Sequence, residues 1–178
     1  RRRQFLDGIG TLLLALMGLA LSACTSLPQV QREPSRSVLD TDSTMLGGVS
    51  QRARSSAGLA TQDPRSMVHL LPGGQDAFLA RSTLAGLSER TLDAQYYIWH
   101  NDDTGQLLLA QLLRAADRGV RVRLLLDDIH TADLEPVLAG LDAHPSIEVR
   151  LYNPFAHRAM RTIDYATDLS RVNRRMHN

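Results

Sequence analysis

Two segments of the chain alternate apolar and polar side chains, and a segment with a helical pattern lies between them. Residues 92–98 and residues 120–126 each show the period of two that is typical of β-strands. The apolar positions between them recur at the spacing of one helix face: Leu108, Leu109, Leu112, Leu113 and Ala116. Asp103 or Thr104 is expected to cap the start of this helix, and Gly119 to end it in a left-handed conformation. The pattern predicts a β-α-β unit with parallel strands and a right-handed connection.

Further elements are predicted on both sides of this unit. A short apolar run at residues 67–71, closed by Pro72 and two glycines, predicts an edge strand and a turn. Residues 75–90 have helical spacing, and residues 147–152 alternate as another strand. A helix between the central unit and this last strand, capped by Thr131 or Asp133, is predicted from Leu134, Val137, Leu138 and Leu141. The chain is therefore predicted to be α/β, with a mainly parallel or mixed sheet flanked by helices.

Polar side chains follow the two strands of the central unit. They are His100, Asp102 and Asp103 after the first strand, and Asp127, Asp128 and His130 after the second. Ligands of open α/β sheets bind beyond the carboxyl ends of the strands, so chemistry is expected at this edge. These residues suggest either a metal site or ordinary helix caps, and Asp127 is expected to cap or orient its neighbours. Because their spacing matches no standard metal signature, we expect no metal and no other cofactor.

Aromatic residues cluster at the end of the first strand and have two interpretations. Tyr96, Tyr97 and Trp99 either line a pocket for an acyl chain or pack in the core of the sheet. The sequence contains neither a glycine-rich phosphate loop nor the nucleophile elbow of the α/β hydrolases.

The N-terminal part of the chain has the pattern of a secretory signal. Three arginines precede an apolar run at residues 11–21, and Leu-Ser-Ala precedes Cys24, the one cysteine of the chain. These four residues resemble the lipobox of bacterial lipoproteins, which implies that Cys24 is lipidated. The alternative is a signal anchor with an incidental thiol, although the apolar run is shorter than the roughly 18 residues of a membrane span. We predict a signal peptide at 1–23, a flexible tether at 24–66 and a folded domain at 67–178.

The formal net charge of +1 argues against a general affinity for nucleic acid, and we expect none. Arginines concentrate after residue 149: Arg150, Arg158, Arg161, Arg171, Arg174 and Arg175. They form either a solvated face or a rim that attracts phosphate.

Three blocks of the sequence resemble the phospholipase D superfamily, and within it the lipoprotein type of the bacterial cardiolipin synthase branch. The blocks are residues 95–128, IEVRLYNPF at 147–155 and LSRVNRRMHN at 169–178. The superfamily signature is H-x-K-x4-D, present once in each half of the molecule, and His177 matches the first histidine of this signature. Its lysine and aspartate would fall after Asn178, so we expect the chain to be the N-terminal part of the first phospholipase D-like half-domain, truncated at its C-terminal end.

The resemblance implies a function for the intact protein. It would be a membrane-anchored phosphatidyltransferase that makes cardiolipin from phospholipids through a phosphohistidine, with His177 catalytic and without cofactor or metal. Lipidated Cys24 would hold it in the bacterial cell envelope, facing the periplasm, and the present chain alone would be inactive. The alternatives are a phospholipase D-type phosphodiester hydrolase and a non-catalytic, lipid-anchored binding module. Protein partners are not predicted.

Overall fold

The computed structural model describes residue 31 and residues 34–60 and 63–167. Cys24 and His177 therefore lie outside the described residues, as do the predicted signal peptide and the segment from 168 onward. From residue 34 the described chain belongs to one compact unit. Its helices and strands are α1 (Met45–Ser56), α2 (Gly74–Leu87), β1 (Thr91–Tyr96), α3 (Asp103–Asp117), β2 (Arg121–Asp127), α4 (Glu135–Asp142), β3 (Ile147–Tyr152) and α5 (Arg161–Thr167). Two short 3-10 helices span Asp128–His130 and Arg158–Met160.

The described strands form one parallel sheet in the order β1-β2-β3. Thr91 pairs with Arg121, and Val122 pairs with Ile147, so the three strands begin almost level with one another. The predicted α/β fold is confirmed, with parallel strands throughout this sheet. Their carboxyl ends consequently meet at a single edge.

The core lies on the face of the sheet to which the alternate residues Val122, Leu124 and Leu126 point, and all three are fully buried. Helix α3 packs on β2 and α4 packs on β3. The buried side chains of these helices that join the core are Leu108, Leu109, Leu112, Ala115, Ala116, Leu138 and Leu141. The helical and strand periods in the sequence identified most of this core, because period and burial follow the same geometry. Two residues predicted on the apolar helix faces are exposed instead: Leu113 at 38% and Val137 at 44%.

Both predicted helix starts need correction. Asp102 caps α3, rather than Asp103 or Thr104, and its side chain accepts a hydrogen bond from the backbone N–H of Gly105 at 2.8 Å. Helix α4 begins at Glu135 without a side-chain cap, because the Thr131 hydroxyl donates to Asp128 instead. Gly119 follows α3 with φ of +88°, as predicted.

The predicted edge strand at 67–71 is not formed. This stretch has no regular structure in the described chain, and Val68 is 96% exposed. An apolar run can form a strand only beside a partner that takes its backbone hydrogen bonds, and the described residues supply none.

The range predicted as a flexible tether contains ordered contacts. Helix α1 lies within it, capped by Thr44 and with no buried residue. The extended stretch before α1 lies against the second face of the sheet, where Arg123 donates to the hydroxyls of Ser35 at 3.1 Å and Ser37 at 2.9 Å. An arginine side chain on the face away from the core forms these hydrogen bonds. The spacing of apolar residues in the sequence does not predict them.

None of the described helices combines the length and the apolar character that crossing a membrane requires.

Candidate functional site

The carboxyl ends of β1 and β2 bring the two predicted histidines together. His100 follows β1, His130 ends the 3-10 helix after β2, and their ring centroids are 5.1 Å apart at an interplanar angle of 54°. Both side chains are exposed. Adjacent parallel strands produce this contact, because their ends share one edge.

The carboxylates after β1 serve the start of helix α3. Asp102 accepts hydrogen bonds from the backbone N–H of Gly105 at 2.8 Å and from the Thr104 hydroxyl at 2.7 Å. The Gly105 hydrogen bond, which favours the charged form, holds the pKa of Asp102 below its ordinary value. Asp103 lies in the first turn of the same helix, where a negative charge interacts favourably with the positive end of the helix dipole.

The carboxylates after β2 are both buried, but they have different partners. Asp127 accepts from the backbone N–H of Ile129 at 3.0 Å and caps the 3-10 helix, which confirms the role expected for it. Asp128 has no exposed surface and forms ion pairs with Arg158 at 3.2 Å and Arg161 at 3.1 Å. We call Asp128, Arg158 and Arg161 the clasp.

Other hydrogen bonds reinforce the clasp. The second oxygen of Asp128 accepts from the backbone N–H of Phe155 at 2.8 Å, and the Thr131 hydroxyl donates to the first. Arg161 also donates to the backbone carbonyls of Asp128 and Ile129, and its guanidinium lies 4.9 Å from the centroid of the Phe155 ring. The clasp therefore fastens the chain after β3 to the end of β2.

A second buried carboxylate holds the same part of the chain. Asp164 is 3% exposed and accepts from the backbone N–H of His157 at 2.9 Å, while its other oxygen lies 2.8 Å from Nδ1 of that histidine. Together, the contacts of Asp128 and Asp164 fix residues 155–161, which we call the 155–161 segment.

The described residues provide no cluster of three or more His, Cys, Asp or Glu side chains suited to a metal ion. In particular, one oxygen of Asp128 pairs with both guanidinium groups and the other accepts from the backbone N–H of Phe155, while Asp127 caps the 3-10 helix. The described arginines of the basic cluster have carboxylate partners as well. Arg150 pairs with Glu148, and Arg158 pairs with Glu135 in addition to Asp128.

The aromatic residues after β1 mostly pack in the core. Trp99 is 5% exposed and meets Tyr96 edge to face, with 4.7 Å between ring centroids. This contact favours the core interpretation over an acyl-chain pocket for Trp99.

Sequence reasoning did not identify the clasp. It placed Asp128 at the edge, but it treated Arg158 and Arg161 only as members of a basic cluster. Their spacing of three residues was the available signal, because a turn of helix puts two such side chains on one side.

The chain is similar in sequence to several known bacterial proteins. The chain is 61% identical over 103 residues to "Cardiolipin synthase C" of Escherichia coli, a match that covers 58% of this chain. The chain is thus similar to a cardiolipin synthase over somewhat more than half of its own length. It is also 32% identical over 87 residues to "Cardiolipin synthase B" of the same organism, covering 49% of this chain. An uncharacterized protein of Helicobacter pylori is 39% identical over 112 residues, covering 61% of this chain. The expected resemblance to the cardiolipin synthase branch of the phospholipase D superfamily is confirmed.

These relatives are much longer than the matched region. The chain spans 22% of the length of cardiolipin synthase C and of the Helicobacter protein, and 21% of cardiolipin synthase B. No family model matches the chain. The solved structure of TrmBL2, an archaeal chromatin protein, aligns with 62% of this chain and with 43% of the TrmBL2 chain at 15% identity. Its TM-score of 0.41 is too low to indicate a shared fold.

Proposed function

We propose that the protein to which this chain belongs is a phosphatidyltransferase that makes cardiolipin from phospholipids. The observation that carries the proposal is the 61% identity over 103 residues to cardiolipin synthase C of Escherichia coli. The fold agrees with it, since a parallel sheet gathers histidine and aspartate side chains at its carboxyl edge.

The proposed chemistry proceeds through a phosphohistidine, as the resemblance to the superfamily implies. A neutral imidazole attacks the phosphorus of the donor lipid, a phosphorus–nitrogen bond forms, and the bond to the departing alcohol oxygen breaks. A second histidine, protonated at this stage, gives that oxygen a proton and then takes one from the hydroxyl of the acceptor lipid. The acceptor oxygen attacks the phosphohistidine, a phosphorus–oxygen bond forms, and the phosphorus–nitrogen bond breaks to release cardiolipin and the free histidine. His177 is one of the two histidines. Lysine ammonium groups of the signature stabilise the charge on the phosphoryl oxygens.

The proposal extends to the membrane. Lipidation of Cys24 would anchor the protein in the bacterial cell envelope with the folded part on the periplasmic side, next to its phospholipid substrates. Incorporation of labelled fatty acid tests the anchor: the intact protein should be labelled and the Cys24→Ser variant should not. A labelled Cys24→Ser variant would contradict lipidation at this position.

Product analysis tests the activity and separates it from the alternatives. The intact protein, incubated with vesicles of labelled phosphatidylglycerol, should convert the label to cardiolipin and release glycerol. Label in phosphatidic acid instead would identify a phosphodiester hydrolase. Vesicle binding without either product would identify the non-catalytic module. The chain of 178 residues alone should form no product, because the superfamily builds its site from two signatures and this sequence contains only the opening of one.

A further inference from the structure

A small cavity lies at the carboxyl end of β1, between helix α2 and the start of helix α3. Its volume is about 180 Å³, and its lining includes Arg81, Tyr96, Trp99, His100 and Asp102. Ligands of parallel sheets bind at this edge. Every side chain that lines the cavity belongs to the described part of the chain.

Two hydrogen-bond donors at this cavity have no acceptor among the described residues. Trp99 is 5% exposed, and its Nε1 is buried without a hydrogen-bond partner. That atom faces Gly105, which also lines the cavity, since a methyl group on Gly105 would lie 3.0 Å from it. Arg81 donates from Nε to the backbone carbonyl of Ala77 at 3.1 Å, and its two terminal amino groups donate to no described residue. Because an unpaired buried donor is costly, the cavity favours a ligand that presents oxygen atoms.

The charges around the cavity favour a neutral ligand over a phosphate group. Arg81 contributes one positive charge and Asp102 contributes one negative charge, so they cancel. Asp102 also occupies the start of α3, where it accepts from the backbone N–H of Gly105 at 2.8 Å. The positive end of the helix dipole is therefore already matched by a carboxylate, and a second anion there would be repelled.

A glycerol group meets these requirements. Its hydroxyl oxygens can accept from Trp99 and Arg81, and its hydroxyl hydrogens can be donated to Asp102. The aromatic rings of Tyr96 and Trp99 offer apolar surface to its carbon-bound hydrogens. The guanidinium of Arg81 is held at the cavity, 5.9 Å from the centroid of the Tyr96 ring.

We infer that this cavity binds the glycerol headgroup of phosphatidylglycerol, with the Trp99 indole N–H and the Arg81 guanidinium as its hydrogen-bond donors. The inference rests on the proposed function, because it names the place where the described unit holds a group of the proposed substrate. Both residues are binding residues, and no step of the transfer is assigned to them.

The experiment compares two water-soluble lipids with short acyl chains, phosphatidylglycerol and phosphatidylmethanol. They have the same phosphodiester charge, but phosphatidylmethanol has no headgroup hydroxyl. Isothermal titration calorimetry measures the binding of each lipid to the intact protein in a His177→Ala background, so that the lipid is not consumed. Phosphatidylglycerol should bind at least about tenfold more tightly, because it alone pairs with the two donors.

The Arg81→Gln variant should reduce this preference to within about threefold, because it removes a charged donor and leaves the acyl-chain contacts. Arg114→Gln is the matched control, since it makes the same change at an exposed arginine in the last turn of α3, and its preference should equal that of the parent protein. Circular dichroism establishes that each variant is folded. If Arg81→Gln does not fold, Trp99→Phe decides in its place, because it keeps a ring but deletes the N–H; the preference should fall about fivefold or more.

Equal affinity of the parent protein for the two lipids would overturn the headgroup site, as would a folded Arg81→Gln variant that keeps the full preference. Inorganic phosphate that displaces phosphatidylglycerol through Arg81 would identify an anion site instead. Free glycerol that binds as tightly as the lipid would overturn the lipid as its source.

The cardiolipin assay on the intact protein without substitutions separates this inference from the proposed function. Cardiolipin formation without a headgroup preference would overturn the headgroup site alone. A preference that depends on Arg81, in a protein that makes no cardiolipin, would overturn the proposed function and support the headgroup site as part of a binding module.

Discussion

At the scale of single residues, four aspartates around this sheet have different partners and roles, although they share one residue type. Asp102 caps helix α3, Asp127 caps the 3-10 helix that follows β2, and Asp128 holds two arginines in the clasp. Asp93 binds Arg123 on the opposite face through two charge-assisted hydrogen bonds, one of them 2.7 Å long. Partners rather than residue type therefore decide the role of each of these aspartates.

The Asp93 pair predicts a dependence of stability on pH. Its hydrogen bond from Arg123 holds the pKa of Asp93 below its ordinary value, which is about 3.9 in an unfolded chain. A carboxylate with a lowered pKa stabilises the folded state above its unfolded pKa, and this contribution is lost as the pH falls through the folded pKa. The difference in unfolding free energy between wild type and Asp93→Asn should therefore be larger at pH 6 than near pH 3.

Urea unfolding at both pH values measures this difference. Asp133→Asn, at an exposed position in the loop before α4, is the control for removing a carboxylate. A wild-type advantage over Asp93→Asn that is the same at both pH values would contradict the assignment of the pair.

At the scale of elements, period-based prediction worked where burial decides the structure. The apolar positions of α3 and β2 were identified from spacing because both elements face one core. The prediction failed where an element depends on something other than burial. Residues 67–71 have the composition of a strand but no described partner, and α1 is capped by Thr44 and buries no residue. The clasp was missed because its two halves are far apart in sequence.

The start of α3 gives the element-scale prediction. A methyl group on Gly105 would overlap the backbone carbonyl oxygen of His100 and lie 3.0 Å from Nε1 of Trp99, so the helix start would have to move. Gly105→Ala should destabilise the protein by roughly 1–3 kcal/mol. The control is Gly86→Ala in α2, where nothing lies within 4 Å of the new methyl group. This control should be neutral or stabilising by up to about 1 kcal/mol, since alanine favours a helix.

Thermal unfolding of the two variants measures both effects. If Gly105→Ala unfolds at the same temperature as Gly86→Ala, the close approach of α3 to His100 is not a constraint on the fold.

At the scale of the whole molecule, the described unit is a three-stranded sheet with its core on one face and a polar second face partly covered by the stretch before α1. Sequence analysis predicted this α/β class, which is confirmed, and it predicted a functional edge at the carboxyl ends of the strands. It assigned the function through resemblance, since no described cluster specifies a reaction by its geometry alone. We propose that the protein with this fold is a phosphatidyltransferase in which His177 takes part in the chemistry.

The most direct measurement is cardiolipin formation from labelled phosphatidylglycerol by the intact protein with His177 replaced. Because the transfer needs an imidazole as nucleophile or as proton donor, His177→Ala should lower turnover about 1000-fold or more, and His177→Asn should do nearly the same. Circular dichroism must show that both variants are folded. A folded His177→Ala protein that makes cardiolipin at a rate near that of the wild type would contradict the catalytic role of His177.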